Sequence, residues 1–209
     1  HSKGKAVIDA YNALGLIATP VGNHEFDFGP LYPGDHDRLG VLKKRISEAK
    51  FSFLTLNIFT QRNGQRVNWP HTKASILIAG NKTKNIPSVG IMGISTMETS
   101  KVTRKKNVVG LHFPNPVALI KSKARRLRQQ GAKVIVLLGH VGGQCDDLND
   151  PYDLSSCDNT SELFTILRDL PPNTVHVVVG GHTHDFVGHY VGGALTIQAG
   201  ANGRFLARA

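Results

Sequence analysis

The sequence has no uninterrupted apolar stretch approaching the roughly 20 residues that a bilayer-spanning helix needs. That excludes a helical membrane span within it. It does not open on a charged and then apolar segment of the signal-peptide kind, so any such segment is expected to lie upstream or to have been removed. It contains no internal repeat and no low-complexity tract, which excludes a solenoid. It has no Ser-His-Asp elbow, no cysteine nucleophile and no P-loop, so the usual acyl-transfer and NTP-binding signatures are missing. Acidic residues are scarce: 15 Asp and Glu stand against 25 Lys and Arg, a formal charge of +10. Such a charge suits an anionic partner. Much of it is confined to "KVTRKK" (101–106), read as a solvated loop, and to "NPVALIKSKARRLRQQG" (115–131). In the latter Val117, Ile120, Ala124 and Leu127 recur at helical spacing, with Lys121, Lys123, Arg125 and Arg128 on the other faces. No aromatic residues interleave the basic ones as a base-stacking surface requires, so a nucleic-acid partner is not expected.

Only two cysteines occur, Cys145 and Cys157, flanking a polar stretch rich in Asp, Ser and Pro that cannot form a core by itself. A disulfide closing this loop is expected, which would place the protein in an oxidising compartment. The alternative is two free thiols in a cytosolic protein.

What is present is an alternation of helices and strands, and 209 residues suffice for one domain with a sizeable core. Residues 5–15 have helical periodicity and 16–22 read as a buried strand. A charged helix over 35–50 precedes a strand over 51–59. Strands over 74–80 and 87–95 are joined by a polar turn. The basic helix follows, then a strand over 133–140. A helix with a good capping start is expected over 159–170, a strand over 174–184, and short strands separated by Gly-rich turns in the tail. This is α/β architecture.

Ligands in open α/β sheets gather beyond the carboxyl ends of the strands. Three apolar strands here end in potential metal ligands: Asn23–His24, His140, and His182 with His184. Each ending is Gly-rich ("VGNHE", "LGHVGG", "VGGHTH"), so the backbone can turn sharply and leave side chains facing a cleft. One histidine after a strand is usually structural; three such endings in one chain point to a metal site.

"GNHEFD" at 22–27, "GHVGG" at 139–143 and "GGHTH" at 180–184 resemble the calcineurin-like metallophosphoesterases, and among them the secreted 5'-nucleotidase and cyclic-nucleotide phosphodiesterase family. The resemblance implies a four-layer α/β/β/α sandwich and a centre of two divalent transition metals, Zn, Mn or Fe. Asn23, His140 and His182 would hold one metal and His184 would belong to the other; nitrogen and amide-oxygen donors suit these ions better than Ca or Mg. His24 would face the substrate phosphate, stabilise the transferring group and protonate the leaving oxygen, with Asp27 holding its other ring nitrogen. The substrate would be a nucleotide or other small phosphoester, and the location periplasmic or extracellular.

The family pattern also needs an Asp-x-His and then a Gly-Asp ahead of this signature, and neither is present. The opening "HSKGKAV" resembles the region just after that second motif. "GDHD" (34–37) and "CDD" (145–147) come in the wrong order. Residues 1–209 are therefore expected to be a partial catalytic domain, lacking its first strand or strands and the C-terminal nucleotide-recognition domain, and inactive or nearly so alone. Asn57 is a candidate for supporting the ligands, and His189 a candidate for reaching the cleft. His1, His36, His71, His112 and His176 follow no motif; His176 reads as a satisfied core histidine and Trp69 as packing. Other functions to weigh are a thiosulfohydrolase or nuclease of the same superfamily, or a non-catalytic binding module without its bridging aspartate. Thiosulfohydrolase relatives depart from "NHEFD" after the His-Glu pair, and nuclease relatives carry a shorter "GNHD".

Overall fold

The computed structural model describes residues 2–209; His1 lies outside them. The principal helices are α1 (Lys5–Ala13), α2 (Gly40–Glu48), α3 (Thr99–Val102), α4 (Val117–Gln129) and α5 (Glu162–Arg168). The strands are β1 (Ala18–Pro20), β2 (Ser52–Leu54), β3 (Phe59–Thr60), β4 (Thr72–Lys73), β5 (Ser75–Ile78), β6 (Val89–Ser95), β7 (Leu111–His112), β8 (Val134–His140), β9 (Val177–Val179), β10 (Phe186–Val191) and β11 (Ala194–Ala199).

Two sheets are stacked. A small parallel sheet runs β1-β2-β4, and a larger one runs β10-β11-β9-β8-β6-β5. The four inner strands of the larger sheet are parallel, and both edge strands are antiparallel to their neighbours. β3 and β7 form a separate antiparallel pair. The sheets touch where β1 meets β6 and β8 and where β2 meets β6.

Each sheet carries helices on its outer face because each helix has one apolar stripe to bury. Ile120, Ala124 and Leu127 of α4 and Leu163, Phe164 and Leu167 of α5 share a core with Met92 and Ile94 of β6 and Ile135 and Leu137 of β8. Ile8 of α1 and Leu42 and Ile46 of α2 pack with Val21, Phe26, Phe53 and Trp69. Trp69 meets Phe26 edge-on, as packing requires. The layers are thus helix, sheet, sheet, helix, the α/β/β/α sandwich that the resemblance implied. α1, α4, β6 and β8 fall where hydrophobic periodicity places them.

Several expectations need correction. Residues 51–59 are not one strand: β2 ends at Leu54, and Phe59 joins a different sheet after an irregular buried stretch. The strand expected over 16–22 shrinks to β1, and the one over 174–184 to β9; the residues beyond form the site loops. "KVTRKK" is not a plain loop but contains the end of α3 and a 3-10 turn, Lys105–Asn107. The capping start of α5 is absent: Ser161 makes no capping hydrogen bond and its hydroxyl is buried without a partner. Instead the Glu162 carboxylate accepts from Met97 N (2.9 Å) and the Thr96 hydroxyl, tying α5 to the end of β6. His189 does not reach the cleft; it is fully buried in β10, with Nδ1 4.0 Å from Cys157 Sγ.

Cys145 and Cys157 are bonded, as expected, and both are buried. Between them Asp147, Asp150 and Asp153 each accept a hydrogen bond from the backbone N–H two residues on, so the loop is a run of Asx turns with little apolar content. Replacing both cysteines by serine is expected to lower the unfolding free energy by about 2–3 kcal/mol on the chain-entropy estimate. Urea denaturation checks this: an unchanged midpoint would mean that the turns hold the loop without the bridge.

Candidate metal centre

The site lies where β1, β8 and β9 end, at the carboxyl edge of both sheets. Asn23 follows β1 and is buried, His140 closes β8 half-buried, and His182 follows β9 half-buried. Asn23 Oδ1 is 2.8 Å from His140 Nε2, and His182 Nδ1 is 3.2 Å from the same nitrogen. The Asn23 side-chain NH2 is occupied elsewhere, donating to Val102 O at 3.2 Å, which leaves Oδ1 facing the histidines.

Backbone geometry explains the convergence. His182 and His184 have φ of 82° and 65°. Non-glycine residues uncommonly adopt this left-handed region, His more often than most, and some such residues mark functional sites. Gly22 makes room for the His140 ring, because a Cβ there would sit 2.6 Å from His140 Nδ1. The Glu25 carboxylate turns back to accept from Gly22 N at 2.7 Å, and burial pushes its carboxyl above the usual range.

Burial, and then the charges of His182, His24 and His184, push the His140 imidazole down to about 4, so the ring is neutral at physiological pH. Burial also lowers His182, with Glu162 and Glu98 opposing it. A neutral imidazole can offer a ring nitrogen to a metal ion. Donors bound at roughly 2.1 Å around one ion stand about 3.0 Å apart in an octahedral site and about 3.4 Å apart in a tetrahedral one. The observed separations of 2.8 and 3.2 Å lie near that range.

His24, next to Asn23, turns away within a 3-10 turn (His24–Phe26), with its side chain 68% exposed. Its Nδ1 is 2.7 Å from Asp27 Oδ2. A cavity of about 220 Å³, walled by Val7, Ile8, Leu42 and Phe53, opens beside this pair. His184 is exposed, two residues after His182 on the same loop.

The sequence-predicted residues Asn23, His24, Asp27, His140 and His182 are therefore brought together. Asn57 supplies no donor to the cluster: fully buried, it accepts from Ser95 N and donates to Ser95 O, both at 2.8 Å, and Ser95 in turn donates to Val21 O, two residues before Asn23. His36 and His112 are exposed, and His176 accepts from Ile135 N at 2.8 Å. The Asp residues of "GDHD" serve locally: Asp35 accepts from Leu31 N and Asp37 N, and Asp37 pairs with Lys43. Cys145, Cys157 and His189 also cluster within 4.8 Å, but the two sulfurs are bonded to each other. Sequence reasoning missed Thr103, whose hydroxyl donates to Asp27 Oδ1 at 3.1 Å. No spacing signal marks it inside a basic run.

A four-layer sandwich with His and Asn side chains at its strand ends is the arrangement that the resemblance to the metallophosphoesterases implies. No protein-family model matches the chain. Among curated relatives, UshA of Salmonella pullorum is 26% identical over 181 residues, covering 83% of this chain and 28% of the relative. Snake venom 5'-nucleotidase of Gloydius brevicauda is 30% identical over 187 residues, covering 88% and 26%. The chain thus spans just over a quarter of the length of the curated relatives it matches. Among solved structures, the sulfate thiohydrolase SoxB of Thermus thermophilus superposes with TM-score 0.70 at 17% identity, covering 96% of this chain and 30% of that one. The calcineurin-like phosphoesterase YfkN of Bacillus subtilis gives 0.67 at 19%, covering 93% and 57%. These structural likenesses speak to the fold. Together with the sequence matches, they support the 5'-nucleotidase family of calcineurin-like phosphoesterases for this chain.

Proposed function

We propose that residues 1–209 form part of the catalytic domain of a metal-dependent phosphoester hydrolase that acts on nucleotides. Asn23, His140 and His182 hold one divalent transition ion (Zn, Mn or Fe), and His184 belongs to a second. The observation that carries this reading is the meeting of the Asn23, His140 and His182 donors at 2.8 and 3.2 Å. Bound cations would neutralise charge on the phosphoryl group and supply the activated water. The protein's own part is proton handling. With Nδ1 engaged by the Asp27 carboxylate, the exposed His24 ring keeps Nε2 for the substrate side, where it can deliver a proton to the leaving oxygen.

The fold is shared with a sulfate thiohydrolase, so fold does not choose the substrate; the nucleotide reading rests on the sequence match to the 5'-nucleotidases. A buried disulfide supports a periplasmic or extracellular location. No helix among the described residues is long and apolar enough to cross a membrane.

Elemental analysis of the full-length protein, with 5'-nucleotide hydrolysis assayed in parallel, tests the reading. Bound transition metal together with phosphate release is the expected result. A protein that takes up no transition metal and releases no phosphate would remove the catalytic reading and favour a binding role.

A further inference from the structure

The basic segment after β6 is exposed along its charged side chains, yet its backbone and short side chains are fastened to the 23–27 turn at three points. Val102 O accepts from Asn23 Nδ2 at 3.2 Å, the Thr103 hydroxyl donates to Asp27 Oδ1 at 3.1 Å, and Asn107 Nδ2 donates to Phe26 O at 2.6 Å. The middle contact has the greatest chemical consequence. Asp27 uses one oxygen for His24 (2.7 Å) and the other for Thr103, so the three side chains form a continuous line.

The His24 side chain is 68% exposed and therefore has little packing to fix its ring. Its orientation depends on Asp27, and a carboxylate pivots freely about its terminal torsion when held by one oxygen alone. A second hydrogen bond on the opposite oxygen removes that freedom. Thr103 suits this task because a β-branched side chain has few rotamers, and its backbone is held in an extended conformation at the end of α3.

We propose that Thr103 is a positioning residue for the proton donor: through Asp27 it fixes the His24 ring so that Nε2 addresses the leaving oxygen. This rests on the hydrolase reading above. Catalytic groups placed through a hydrogen-bonded partner characteristically depend on that partner for orientation.

The test uses the full-length protein, the near-isosteric Thr103→Val variant and the Thr103→Ser variant. Each is assayed on a 5'-nucleoside monophosphate, whose alkoxide must be protonated to leave, and on a 4-nitrophenyl phosphoester, whose leaving group departs unaided. For Thr103→Val, kcat on the nucleotide is expected to fall about 10–100-fold with KM nearly unchanged. On the nitrophenyl ester the same variant should stay within about two-fold of wild type, because no general acid is needed there. Thr103→Ser should recover the nucleotide rate. Metal content and thermal midpoint, measured on each variant, should match wild type. An undiminished nucleotide rate in Thr103→Val, or an equal loss on both esters, would overturn the assignment while leaving the hydrolase reading intact. A wild-type protein that cleaves neither ester would overturn both.

Discussion

Replacing His24 by alanine in the full-length protein is expected to lower kcat on a 5'-nucleoside monophosphate by roughly 10²–10⁴-fold, the usual contribution of a positioned proton donor. Metal content should remain at the wild-type level. The two halves of this expectation come from one local feature. Asn23 and His24 are adjacent, but the 3-10 turn that starts at His24 sends their side chains apart. Asn23 is 3% exposed and faces His140, whereas the His24 side chain is 68% exposed and faces Asp27. Burial suits the ligand proposed at the first position, and exposure the substrate-facing group proposed at the second. Asp27→Asn should lie between the variant and wild type, at about 10–100-fold, because the ring survives but loses its anionic partner. If His24→Ala instead lost metal in proportion to activity, His24 would be a ligand and the division of labour would be wrong.

The candidate site residues were legible because they sit at the ends of apolar strands. β8 runs "VIVLLGH" with alternate residues buried, so its last residue had to emerge at the sheet edge. The two other endings were recognised by the same signal. What the sequence hid is how short the strands are. β1 and β9 have three residues each, because the Gly-rich segments after them leave the ladder early to form loops. Hydrophobicity does not distinguish a buried loop from a strand, as Leu56 and Ile58 show: both are buried, but they lie between β2 and β3 rather than in one continuous strand. The contacts that residues 102–107 make with the 23–27 turn were hidden for a different reason. Their exposed charges announce solvent, while their contacts with the 23–27 turn are made by a carbonyl, a hydroxyl and an amide that carry no periodicity. Ser161 makes no cap, and the neighbouring Glu162 instead binds Thr96 and Met97 across the sheet edge.

Gly142→Ala is expected to damage both stability and metal uptake, and the reason is contact rather than backbone conformation. A Cβ at Gly142 would overlap the carbonyl of Gly181 and the hydroxyl of Thr183, on the loop that carries His182 and His184. That loop is laced to 139–143 by several bonds. Gly181 N donates to Val141 O at 3.0 Å, and the Thr183 hydroxyl donates to Gly143 O at 2.8 Å. The buried Gln198 amide reaches Gly143 O, Thr183 Oγ1 and Asp185 O together. Neither loop can retreat alone without breaking part of this lattice, so the methyl group must push His140 and His182 apart. Overpacking of this kind costs about 1–3 kcal/mol, and a displacement near 1 Å at reacting groups costs on the order of 10²-fold in rate. Gly181→Ala is the matched control: its nearest neighbour, Gly139 O, would be 3.9 Å from the added carbon. Metal stoichiometry and thermal midpoints of the two variants decide the matter. If both behave alike, the 2.8 and 3.2 Å meeting of donors does not depend on the packing of these loops. If only Gly142→Ala loses metal, the close approach of the two loops is what assembles the site.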